Sequence, residues 1–82
     1  SKWKLERAIW RAGELKIKEA APLLIKLIGT GEPLRDYCIA WSLGYCGTEE
    51  AIPIIIQLYQ NASSPEFVSR IAFEALLQLS DA

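Results

Sequence analysis

Polar residues recur along this chain at intervals of three and four within long apolar stretches, which predicts helices rather than strands throughout. Residues 3–12 form the first, with Trp3, Leu5, Ala8, Ile9, Trp10 and Ala12 apolar and Lys4, Arg7, Arg11 and Glu14 on one wet stripe. Gly13 is expected to close it in the left-handed conformation. Residues 18–28 form the second. Its polar positions, Glu19, Pro22 and Lys26, are so few that neighbours must cover it on two sides. A break runs from Gly29 through Thr30, Gly31 and Glu32 to Pro33. Residues 34–45 form the third helix. Arg35, Asp36 and Ser42 are its only strongly polar members, so it should be the most buried. Thr48 is expected to cap a fourth helix over 49–60, whose wet stripe is Glu50, Pro53, Gln57 and Gln60. Ser64, Pro65 and Glu66 supply a cap, a first-position proline and an acid for a fifth helix over 65–79.

The helices repeat. Overlaying 3–28 on 34–59 pairs Trp10 with Trp41, Gly13 with Gly44, Glu19 with Glu50, Ala20 with Ala51, Pro22 with Pro53 and Leu27 with Leu58. After one extra residue a third copy begins, pairing Pro33 with Pro65, Ile39 with Ile71, Ala40 with Ala72 and Trp41 with Phe73. A unit that recurs after 31 residues (10 to 41) is the mark of stacked helical units. Trp10, Trp41 and Phe73 lie off the polar stripe, so this aromatic column is expected to fill the joint between units. Pro22 and Pro53 fall about five residues into the second and fourth helices. Either they bend those helices, or the helices begin later than the spacing suggests.

Composition narrows the possibilities. Eighty-two residues, 51% of them apolar, make one small domain with a core. A net charge of -1 gives no general attraction to nucleic acid or an anionic membrane. No apolar run approaches the roughly 20 residues of a membrane span. The basic start, Ser1-Lys2-Trp3-Lys4, lacks the apolar core of a signal peptide. Cys38 and Cys46 on one helix would stand roughly 12 Å apart along its axis, beyond disulfide reach. Two free buried thiols fit a reducing, cytoplasmic compartment. Without a histidine they fall short of a zinc site. Nothing resembles a nucleophile beside a base or a phosphate loop, so no catalysis, cofactor or metal is expected.

The run Ala40-Trp41-Ser42-Leu43-Gly44, a loop, and then Ala51-Ile52-Pro53-Ile54-Ile55 resembles HEAT repeats of the short phycobilin-lyase type. The resemblance covers nearly the whole chain. It departs from the pattern in two ways. The arginine usual near the start of each unit's second helix is only approximately placed, at Arg35 and Arg70, and the Asp common in the inter-helix loop is missing. The resemblance implies an all-α, right-handed α-α superhelix, a HEAT-like solenoid of five helices and about two and a half repeats. The second and fourth helices would lie on its convex side and the others on its concave side. It also implies a scaffold that binds a protein or peptide on the concave face. The same family implies two alternatives: a nucleic-acid- or phosphate-contacting module like the HEAT-like DNA-repair glycosylases, or part of a bilin lyase or another HEAT-containing enzyme.

All four arginines fall on the helices assigned to the concave face. The overlay sets Lys4, Arg35 and Phe67 in one row, Arg7, Cys38 and Arg70 in the next, and Arg11, Ser42 and Glu74 in a third. The candidate partner-binding residues are therefore Lys4, Arg7, Arg11, Arg35, Ser42, Arg70 and Glu74. This face would be basic with one acid at its edge, suited to an acidic peptide or phosphate groups, although a merely solvated face fits the pattern equally. Reversing charge at Arg7, Arg35 and Arg70 is expected to abolish binding without unfolding. Neither end has the polar outer face of a capped array: Leu5 and Ile9 lack a covering helix, and the fifth helix is apolar on several sides. With no methionine at the start, 1–82 is expected to be a piece of a longer array, or to self-associate end to end.

Overall fold

Residues 3–30 and 32–80 are described by the structure, a computed structural model. Ser1, Lys2 and Gly31, from the basic start and the expected break, lie outside the described residues. Among the described residues there are five α-helices and no strand: α1 (Lys4–Glu14), α2 (Ala21–Leu27), α3 (Pro33–Cys46), α4 (Ile52–Gln60) and α5 (Glu66–Ser80). Single 3₁₀ turns, Lys18–Ala20 and Glu49–Ala51, lead into α2 and α4. Pro22 and Pro53 therefore sit in the first turn of their helices, where a missing N–H is harmless, and the later start is the correct reading. The Thr48 hydroxyl accepts from the Glu50 N–H at 3.3 Å and caps the second of these turns. Ser64 does not cap α5. Its hydroxyl donates to the Leu58 carbonyl at 3.0 Å and ties down the α4–α5 turn instead.

The helices form two layers. α3 lies between α1 and α5, while α2 packs on α3 and α4 on α5. The shortest dimension, 18 Å, fits two layers of helices packed 8–10 Å apart. The core runs between the layers: Ile9 from α1, Ala21 and Leu24 from α2, Ile39, Ala40 and Leu43 from α3, Ile55 and Leu58 from α4, and Val68, Ile71, Ala72 and Ala75 from α5. As the polar count predicts, α3 contributes more buried residues than any other helix.

The glycines correct one expectation. Gly13 and Gly44 do not end their helices; each lies inside one and faces a neighbour. A Cβ on Gly13 would stand 2.8 Å from the Ser42 Cα, and one on Gly44 would stand 3.2 Å from the Ala75 Cα. These positions let α1 approach α3 and let α3 approach α5. The left-handed residues that close α1 and α3 come three positions later, at Lys16 (φ 54°) and Gly47 (φ 65°). Around Lys16 the Ile17 N–H bonds to the Ala12 carbonyl and the Lys16 N–H to the Gly13 carbonyl, both at 3.0 Å, which is the Schellman pattern. Lys16 thus takes a conformation that its repeat partner Gly47 takes without steric penalty.

The two ends are unequal. Ile9 is buried, contrary to expectation, because it points into the core formed with α3 rather than outward. Leu5 does remain exposed, as do Leu23 of α2 and Tyr59, Phe73 and Leu77 at the far end.

Candidate interaction face

Helices α1, α3 and α5 form one layer, and of the sequence-predicted residues on it Lys4, Arg7, Arg11, Arg70 and Glu74 are exposed while Arg35 and Ser42 are not. Along α3, Leu34, Tyr37, Trp41 and Tyr45 recur at three and four, so they share one stripe. None of the four is buried. The indoles of Trp10 and Trp41 stack with centroids 3.6 Å apart and planes within 2°. Tyr37 stacks more distantly on Trp10, at 6.4 Å, and meets Phe67 of α5 at 6.0 Å. Tyr45 lies 4.7 Å from Trp41. A string of five rings, Phe67, Tyr37, Trp10, Trp41 and Tyr45, therefore crosses all three helices at the surface.

This string differs from the expected column. Trp10 and Trp41 do seal the α1–α3 joint, but they remain half-exposed. Phe73 takes no part: it is 47% exposed and packs against Tyr59, 5.8 Å away, on the far end of the molecule. The overlay set Phe67 in a row with Lys4 and Arg35 but missed Tyr37 and Tyr45, whose signal was present in the sequence as an aromatic at every fourth position of α3 (37, 41 and 45).

The basic stripe is only partly real. Lys4, Arg7 and Arg11 are exposed on α1, and Arg70 is exposed on α5. Arg11 pairs with Glu14 at 3.4 Å, and Arg70 pairs with Glu66 at 2.7 Å, each along its own helix. Arg35 does not stand on the open face. Its Nε donates to Glu6 of α1 at 2.9 Å, and the Glu6 side chain is 7% exposed. The hydrogen bond from Arg35 holds the Glu6 carboxyl below the usual carboxylate range; the backbone assists and burial opposes. Reversing Arg35 would bring two carboxylates together at the α1–α3 joint, so such a variant is expected to lose stability as well as any binding. Among the described residues Lys4 and Arg7 form no ion pair.

Ser42 is also corrected. It is fully buried against Gly13 and unavailable to a partner, and its hydroxyl has only the weakly bonding Cys46 thiol beside it. Asp36, next to Arg35 in the chain, does not pair with it: Asp36 is buried and accepts from the Gly29 N–H at 2.8 Å, fixing the loop between α2 and α3. Cys38 and Cys46 are free and buried. Burial pushes both thiols up, with Glu6 adding to the effect at Cys38 and the Ser42 hydroxyl offsetting it in part at Cys46. The Cys46 thiol donates to the Ile17 carbonyl at 3.4 Å, so it ties the α1–α2 connection to α3.

Between α3 and α5 the same face opens into a groove. One half, of about 240 Å³, is lined by Trp41, Gly44, Tyr45, Ile71, Glu74, Ala75 and Gln78. The other, of about 540 Å³, is lined by Tyr37, Glu66, Phe67, Arg70, Ile71 and Glu74. Ile71 and Glu74 line both, so the two halves adjoin at these residues. No helix among the described residues is long and apolar enough to cross a membrane.

Two layers of helices, repeating after 31 and then 32 residues with paired glycines at the joints, define an all-α helical-repeat module. Residues 39–61 match the family model of the PBS lyase HEAT-like repeat. The matched stretch takes in most of α3, the capped turn and all of α4. No curated protein and no solved structure matches the chain.

Proposed function

We propose that this helical-repeat module is a non-catalytic interaction scaffold that engages a protein partner through the face formed by α1, α3 and α5. The string of five half-exposed or exposed rings carries this reading. Tyr, Trp and Arg dominate the energetics of protein interfaces, and Tyr and Trp do so because they offer large contact area with few rotatable bonds. Lys4 and Arg7 are exposed on α1 and Glu74 lines the groove beside the rings, so polar groups accompany the aromatic centre. Phosphate or nucleic-acid contact is less well supported, since Arg11, Arg35 and Arg70 are already engaged by carboxylates and the net charge is -1. The free buried thiols suit a reducing compartment such as the cytoplasm.

A peptide-display selection against the chain, followed by affinity measurement on surface variants, tests the proposal. Tyr45→Lys and Phe67→Lys should each weaken selected binders by about tenfold or more. Leu23→Lys, on an exposed position of α2 in the other layer, should leave them unchanged. Binders that tolerate both face variants and lose affinity with Leu23→Lys would overturn the assignment.

A further inference from the structure

The face is not uniform in charge, and its acidic edge is the informative part. Within the α3–α5 groove the charged side chains are Glu66, Arg70 and Glu74. Arg70 is held by Glu66 at 2.7 Å. Glu74 lines both halves of the groove and forms no ion pair among the described residues. Around it stand Tyr37, Trp41, Tyr45 and Phe67. Gly44 and Ala75 bring the two helices close without filling the space above them.

From this arrangement we infer that the groove seats a cationic side chain, arginine or lysine, presented on an extended segment of the protein partner. The inference rests on the proposed interaction face and specifies what that face reads. An anionic group would meet two carboxylates against one engaged arginine. A purely apolar side chain would strip water from Glu74 and leave its charge without a partner, which is costly. A guanidinium satisfies both features: it donates two parallel hydrogen bonds to a carboxylate and lies flat on aromatic rings. The smaller half of the groove has room for the head of one such side chain, and the wider half beside Phe67 has room for the adjoining main chain. The partner expected from the arginines alone was acidic; the groove asks for the opposite charge, and it does so through the one acid that the overlay left at the edge.

The probe is a short peptide, acetyl-Gly-Ala-Arg-Ala-Gly-amide, compared with its counterpart carrying neutral citrulline in place of arginine. Binding is followed by the NMR shift of the Trp41 indole N–H and the ring protons of Tyr45 and Phe67. The arginine peptide should bind in roughly the millimolar range and about tenfold tighter than the citrulline peptide. In Glu74→Gln, an exposed position whose fold is checked by the unchanged dispersion of the same spectra, that preference should disappear. Equal binding of the two peptides, a preference that survives Glu74→Gln, or no shift at these rings would each overturn the inference. If display-selected peptides depend on Tyr45 and Phe67 yet show no excess of basic residues, the cation seat fails while the interaction face stands. If selected peptides ignore both positions, the face itself fails.

Discussion

Gly13→Ala isolates the close approach of α1 to α3. The added Cβ would lie 2.8 Å from three atoms: the Cα and Oγ of Ser42 and the Cζ3 of Trp41. Carbon atoms at rest stand about 3.5–4.0 Å apart, so the helices must separate by roughly 0.7 Å. A hydroxyl can rotate away, but the Ser42 backbone cannot, and the Trp41 ring is pinned by its stack on Trp10. Overpacking of this kind costs about 1–3 kcal/mol. Against it stands the gain of replacing a glycine in the last turn of α1 with alanine, at most about 1 kcal/mol. Because two of the three neighbours cannot yield cheaply, the net loss should be about 1–2 kcal/mol. In a domain of this size that lowers Tm by roughly 5–15 °C. Gly44→Ala is the control. Its new Cβ would meet Ala75 at 3.2–3.3 Å, a much milder approach, and the propensity gain should hold the change within about 0.5 kcal/mol of zero. Paired thermal and urea melts followed by circular dichroism read both. Adding Ser42→Ala to Gly13→Ala should restore only the part due to the hydroxyl, because the clash with the backbone of residue 42 persists. A Gly13→Ala protein as stable as wild type would refute the argument.

Three further outcomes follow from single residues. Ser42→Ala removes a buried hydroxyl whose one neighbouring polar group is the weakly bonding Cys46 thiol and should raise stability by up to about 1 kcal/mol, read by urea titration. Lys16→Gly relieves a left-handed lysine at the position where the repeat has Gly47, and should stabilise by up to about 1 kcal/mol in thermal melts, since relief of strain exceeds the entropy penalty of glycine. The Glu6 carboxyl has a folded pKa below its unfolded value of about 4.3. Its pairing with Arg35 therefore contributes fully above that pH and is lost as pH falls through the folded value. Glu6→Gln should accordingly be less stable than wild type at neutral pH and draw level with it in acid, a convergence that melts across the acid range would show.

The helices and their repeat were legible because they depend on local spacing. The proline pairs, the glycine pairs and the apolar periodicity each report a constraint carried by one stretch of chain. The candidate face was only half legible. The exposure of Lys4, Arg7 and Arg70 followed from helix phase, but the fate of Arg35 did not. Its partner, Glu6, lies on a different helix, and on α1 alone Glu6 looks like one more solvated acid. Ser42 was misplaced for a related reason. The overlay aligned it with Arg11, yet the two helices present different sides to their neighbours, and Gly13 draws Ser42 into the joint. Asp36 reads as a surface residue until the loop at Gly29 folds back onto it. In each case the missing information was an interaction between segments far apart in the chain.

The Trp10–Trp41 stack has an optical consequence. Two indoles that overlap almost face to face, 3.6 Å apart, cannot absorb independently. Their electronic transitions couple, and any in-plane twist between the two transition dipoles turns that coupling into a pair of opposite-signed circular dichroism features. The sign and size of such a couplet follow the distance and twist between the rings, and those in turn follow the docking of α1 on α3. The molecule thus carries its own gauge of the joint between its first two units, and any agent that loosens that joint can be seen without a label.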